Sequence, residues 1–120
     1  MSEQSLAELA IRLREFASER DWDQFHSPKN LVMALSVEAA ELMEHFQWLT
    51  EEQSSDMPPE KLQQVREEIG DVLIYLTRLA DKLGIDPVVA AFEKIEVNRA
   101  KYPADKVRGK SMKYTEYDLG

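Results

Sequence analysis

A chain of 120 residues with 43% apolar side chains has core enough for one small domain and little beyond it, so association with further copies is the expected source of added stability. The lack of cysteine excludes a disulfide framework and a zinc–thiolate site, and a net charge of −8 argues against a nucleic-acid backbone as ligand. The start, Met1-Ser2-Glu3-Gln4, has neither a basic nor an apolar leader region and no run reaches the length of a membrane span, so a cytoplasmic protein without a membrane partner is expected.

Four helices are predicted, with no strand alternation between them, which makes the class all-α: a four-helix bundle in one domain over residues 1–120. Ser5-x-x-Glu8 has the pattern of a capping box and opens a first helix that carries Leu6, Leu9, Leu13, Phe16 and Ala17 on one face to about Arg20. Trp22-Asp23-Gln24-Phe25-His26 is a connector. Ser27-Pro28, a cap followed by proline at the first helical position, starts a second helix that runs to about Trp48. The polar stretch from Thr50 to Pro59 reads as a loop. A third helix is expected from about Glu60 to Leu83, stopped by Gly84, and Asp86-Pro87 opens a fourth that ends before Pro103. From about Ala104 an irregular basic tail follows, with Tyr114, Tyr117 and Leu119 placed to lie against another surface. Residues 99–113 hold six basic groups and one acid, whereas residues 1–98 hold nine basic and twenty acidic groups. An acidic body with a basic tail suits a small polyphosphate shared with a metal; a tail that only neutralises neighbouring acids is the alternative.

Two carboxylate pairs of the same spacing interrupt the apolar runs of the middle helices: Glu38-x-x-Glu41 and Glu68-x-x-Asp71. Leu31, Leu35, Glu38 and Leu42 share a helical stripe, as do Glu68, Val72, Tyr75 and Leu79, with Asp71 one turn on from Glu68. Ionised acids on core-facing stripes must neutralise, find basic partners or hold a metal, and four together favour the metal. Oxygen-only ligands select a hard ion, Mg²⁺ or Mn²⁺. A di-iron site would need Glu-x-x-His, and Asp23 and Leu42 stand where His26 and His45 would require that Glu. Gly70, inside the third helix, points to a close backbone approach, by a ligand or by a packed helix.

At these residues the sequence resembles the all-α nucleoside triphosphate pyrophosphohydrolases of the MazG type, most closely the dCTP pyrophosphatase branch. ExxE followed by ExxD is matched by Glu38, Glu41, Glu68 and Asp71. The segments Trp22–Leu31, Phe46-Gln47-Trp48, Glu67–Leu76, Asn98–Pro103 and Lys113–Glu116 are similar to that branch as well. The resemblance implies a homotetramer built as a dimer of dimers. It also implies that Glu38, Glu41, Glu68 and Asp71 bind Mg²⁺, that the bond between the α and β phosphates is cleaved, and that Glu38 or Glu41 orients the attacking water. Trp22, His26, Trp48 and Tyr75 would form the base and sugar pocket, and Lys29, Asn98, Arg99 and Lys101 the phosphate side; a solvated surface role is the alternative for each of these three cations. Leu13 departs from the branch, whose eukaryotic members have a histidine there that reaches the nucleotide, so base preference is open between dCTP, modified dCTP and a broad or dUTP-directed activity. A non-catalytic helical module whose acids pair with a basic partner is the reading outside enzymes.

Overall fold

A computed structural model describes residues 4–117, and among these there is no strand. The chain divides into two compact units, Met1–Ile85 and Asp86–Gly120. The first contains α1 (Leu6–Glu19), α2 (Pro28–Glu44), α3 (Glu51–Ser54) and α4 (Pro59–Lys82); the second contains α5 (Pro87–Lys101) and α6 (Ala104–Val107).

In the first unit the long helix α4 packs against both α1 and α2. Its amphipathic sequence supplies the buried Val65 and Ala80, which join Ala17 of α1 and Leu31 of α2 in a thin core. The ends follow local rules. Ser5 and Ser27 cap α1 and α2 by accepting from the Glu8 and Asn30 amides, and Pro28 takes the first helical position. Helix α4 stops where Gly84, at φ +67°, takes the left-handed turn, while Ile85 N–H donates to the Ala80 carbonyl and Gly84 N–H to that of Asp81.

Helix α1 ends by the same pattern without a glycine. Asp21 stands at φ +55°, Trp22 N–H donates to the Ala17 carbonyl and Asp21 N–H to that of Ser18. The conformation is held by Gln24, whose side-chain amide donates to both the carbonyl and the carboxylate of Asp21. This sharp exit aims Trp22 back onto α1, edge to face with Phe16 at 5.8 Å, and a 3-10 turn over Asp23–Phe25 completes the connector.

Three expectations change. Helix α2 ends at Glu44, and residues 45–49 form turns that carry Phe46 and Trp48 outside the helix. The expected loop after Thr50 holds α3, because Thr50 and Gln53 make a reciprocal capping box strong enough to set one helical turn. Beyond its own helix, Gly70 has nothing among the described residues within 4 Å of where a Cβ would stand, so packing against another described element is not its reason.

In the second unit Asp86 caps α5 through the Val88 and Val89 amides. The tail is more ordered than expected: after α6 a 3-10 turn over Tyr114–Glu116 brings Tyr114 and Tyr117 edge to face onto Tyr102, at 5.6 and 5.9 Å, and the Tyr117 hydroxyl donates to the Lys110 carbonyl. The surface expected to receive the tail is thus the end of α5; Leu119 lies outside the described residues. Val88, Phe92 and Ile95, spaced along α5, are exposed, Phe92 by 68%. Among the described residues no helix is long and apolar enough to cross a membrane.

Candidate active site

The contact of α2 with α4 brings Glu38, Glu41 and Glu68 together, each offering a carboxylate oxygen within 4.8 Å of the others. All three side chains are half-buried, as a stripe shared with Leu31 and Leu35 on one helix and Val72 and Tyr75 on the other requires. One oxygen of Glu38 and one of Glu68 are closed off from solvent and accept no hydrogen bond. Buried carboxylate oxygens without donors are rare in folded proteins because desolvation is left uncompensated. Three acids converging on one point with orphaned oxygens fit a divalent, oxygen-seeking cation. Asp71, half-buried one turn beyond Glu68, is not one of this three-acid group.

Burial, then the neighbouring Glu68 and Glu41 carboxyls, push Glu38 up to about 7. The folded metal-free protein therefore holds a proton on Glu38 that the unfolded chain gives up near its ordinary value of 4.5. Since the native state binds more protons between these values, its stability falls as pH rises through that window. We expect the melting temperature of the metal-free protein to decline from about pH 4.5 to pH 7, and the decline to vanish in Glu38→Gln; a flat or rising profile for the parent protein would contradict this assignment. Asp81 and Asp23 act in a separate, more acidic window. Held below the usual carboxylate range by Arg14 and Lys82 first, they contribute stability that is lost as pH falls below about 3.8.

Further along α4 a cavity of about 180 Å³ is lined by Leu13, Phe16, Trp22, His26, Tyr75 and Arg78, with Ala17 and Ile74. Three of the four expected pocket residues, Trp22, His26 and Tyr75, thus meet around one space, and Leu13 belongs to its wall. Trp48 does not: it is 86% exposed and outside the lining. Tyr75 links the two places, standing seven residues from Glu68 on the same stripe of α4. Lys29 is exposed in the first turn of α2. In the second unit Asn98, Arg99 and Lys101 are exposed near the end of α5, where Arg99 lies 3.6 Å from Glu96 and Lys101 Nζ sits 4.4 Å from the Tyr114 ring.

Sequence reading missed Arg78. It is buried, 5% exposed, on the α4 face next to Tyr75, and its guanidinium is shared among Asp23, His26 and Asp81. Asp23 also accepts from Lys82 at 2.6 Å, and Asp81 from Arg14 Nε at 2.7 Å. A basic side chain three residues after Tyr75 on an apolar face was the available signal, of the same kind as the acids.

A family model described as the MazG-like family matches residues 33–117, a span that includes all four acids. The chain belongs to the MazG-like family. Among its relatives, human dCTP pyrophosphatase 1 is 45% identical over 108 residues, which are 88% of this chain and 64% of that protein. The bovine protein of the same name is 40% identical over 121 residues, 99% of this chain and 72% of the relative. The crystal structure of a pyrophosphatase from Archaeoglobus fulgidus superposes with a TM-score of 0.78 at 41% identity, covering 86% of this chain and 96% of that one. This MazG-like chain spans about 64% of the length of the human and mouse relatives it matches.

Proposed function

We propose that this protein is a Mg²⁺-dependent nucleoside triphosphate pyrophosphohydrolase that converts dCTP, or a modified cytosine deoxynucleotide, to the monophosphate and pyrophosphate, and so cleanses the nucleotide pool of the cytoplasm. The observation that carries the reading is the convergence of Glu38, Glu41 and Glu68 with two buried, unpartnered oxygens. The activity in the names of the human and bovine relatives supports the substrate, and the family match across both units supports a single MazG-like domain over residues 1–120.

Glu38, Glu41, Glu68 and Asp71 would hold the metal, with Mn²⁺ as a substitute. When bound, such an ion lowers the pKa of water and offsets charge on the departing pyrophosphate. Glu38 or Glu41 orients the water that adds across the anhydride between the α and β phosphates. Trp22 and Tyr75 hold the base by its faces, worth about 1–3 kcal/mol per base, and His26 contributes a directional hydrogen bond. Trp48 would join the base and sugar pocket, and Lys29, Asn98, Arg99 and Lys101 would contact the phosphates. The exposed Phe92, Val88 and Ile95 of α5 support closure by further copies in a homotetramer, a dimer of dimers. Neither a nucleic acid nor a membrane is proposed as a partner.

Incubation with each canonical dNTP, dUTP and 5-methyl-dCTP in Mg²⁺ tests the reading. The expected ranking puts a cytosine nucleotide first. Preference for dUTP would move the assignment within the same chemistry, and absence of turnover with every nucleotide would favour a non-catalytic helical module.

A further inference from the structure

The ring of His26 lines the cavity, and its Nδ1 accepts from Arg78 Nε–H at 3.3 Å. Direction is fixed by chemistry: a guanidinium has donors only and stays protonated, so Nδ1 must carry the lone pair. Neutral imidazole then has its proton on Nε2, and that N–H finds no hydrogen-bond partner among the described residues. Burial, first, and the Arg78 charge keep His26 below its ordinary range, while Asp23 acts in the opposite sense and Lys82 adds to Arg78. Arg78 itself cannot swing away. Its other nitrogens are committed to Asp23 and Asp81, and the side chain is 6% exposed.

We propose that Arg78 is a positioning residue that locks His26 in the Nε2–H tautomer, so that the cavity offers a donor to the base and reads a carbonyl oxygen. This rests on the nucleotide reading above. Of the remaining walls, Leu13, Phe16, Ala17 and Ile74 are apolar and only Trp22 and Tyr75 add a polar atom each, which leaves few polar groups to discriminate. At about 180 Å³ the space is below the roughly 300–1,000 Å³ of pockets that take whole ligands, so it receives the base alone. Cytosine and uracil carry a carbonyl to meet Nε2–H; adenine carries none. Leu13, on the same wall, offers no hydrogen bond, so selection falls to His26 as held by Arg78.

The test has two readouts on the full-length protein. Two-bond ¹H–¹⁵N correlation spectra report the tautomer of His26 in the free protein, and calorimetry compares dCMP with dAMP. We expect the Nε2–H form in the parent protein, a tautomer mixture in Arg78→Met, and a loss of about three- to tenfold in dCMP-over-dAMP preference in that variant, the equivalent of one neutral hydrogen bond. His26→Gln, whose amide reaches the Nε2 position, should keep most of the preference, and His26→Asn should lose it, whether or not Arg78→Met folds. An Nδ1–H form in the parent protein, or an unchanged tautomer in folded Arg78→Met, would overturn the proposal while leaving the hydrolase reading intact. Failure of the parent protein to bind either monophosphate would overturn the nucleotide reading and the base contact with it, even with the expected tautomer.

Discussion

Glu38→Gln and Glu68→Gln are each expected to lower dCTP turnover by about a thousandfold or more, the scale of losing one preorganised electrostatic contact to the reacting centre, while the helical content stays unchanged. The two side chains come from different helices, α2 and α4, yet both present an oxygen that is shut off from water and has no donor. An amide is the same size as the carboxyl but supplies neither the charge nor a strong ligand. Packing is therefore preserved and the cation is not. Glu38→Gln has a second consequence of opposite sign. In the metal-free protein at pH 8, Glu38 is ionised beside Glu41 and Glu68, against burial, so the amide should melt at a higher temperature than the parent. Saturating Mg²⁺ should reverse the order, because a ligand held at a hundred times its dissociation constant stabilises by about 2.7 kcal/mol only the protein that binds it. Retained turnover in both variants would remove the acids from the chemistry, and equal melting temperatures with and without metal would remove the cation.

Leu31→Ala is expected to destabilise the protein by about 2–5 kcal/mol, read as a lower denaturant midpoint with unchanged slope. Leu31 is 1% exposed and is the large side chain most fully enclosed among the described residues. Little else is buried to that degree: Ala17, Val65 and Ala80 are small, and Phe16, Met33 and Leu73 are exposed. A core of this kind cannot close over the lost volume from many sides, which places the effect high in the range. Leu31→Met, nearly volume-conserving, should cost less than about 1.5 kcal/mol. Because Leu31 lies two turns from Glu38 on the same stripe, turnover in Leu31→Ala should also fall at temperatures where the fold persists. An alanine variant with an unchanged midpoint would mean that the core lies elsewhere.

The acids and the helices were legible in the chain because each depends on local periodicity, whereas Trp22, His26 and Tyr75 were expected around one cavity only from the family resemblance. Glu38 and Glu68 break an apolar stripe, and a break of that sort is visible without knowing what faces it. Ser5, Ser27 and Asp86 mark helix starts by a bond made within three residues. Capping explains the misses too. Thr50 with Gln53 makes a turn of helix too short to show periodicity, and Asp21 ends α1 in a conformation usually left to glycine. Arg78 was hidden for a different reason: its partners His26 and Asp23 lie 52 and 55 residues away, and only the packing of α4 against α1 and its connector sets them together. Trp48 was expected in the pocket from the resemblance; α2 stops four residues before it, and within this chain it is 86% exposed.

The most direct measurement is chromatographic separation of the products of dCTP incubated with the purified protein, once with Mg²⁺ and once with chelator. The expected products are dCMP and pyrophosphate in equal amounts, formed only with the metal. Formation of dCDP and phosphate, or turnover that survives the chelator, would contradict the proposed reaction.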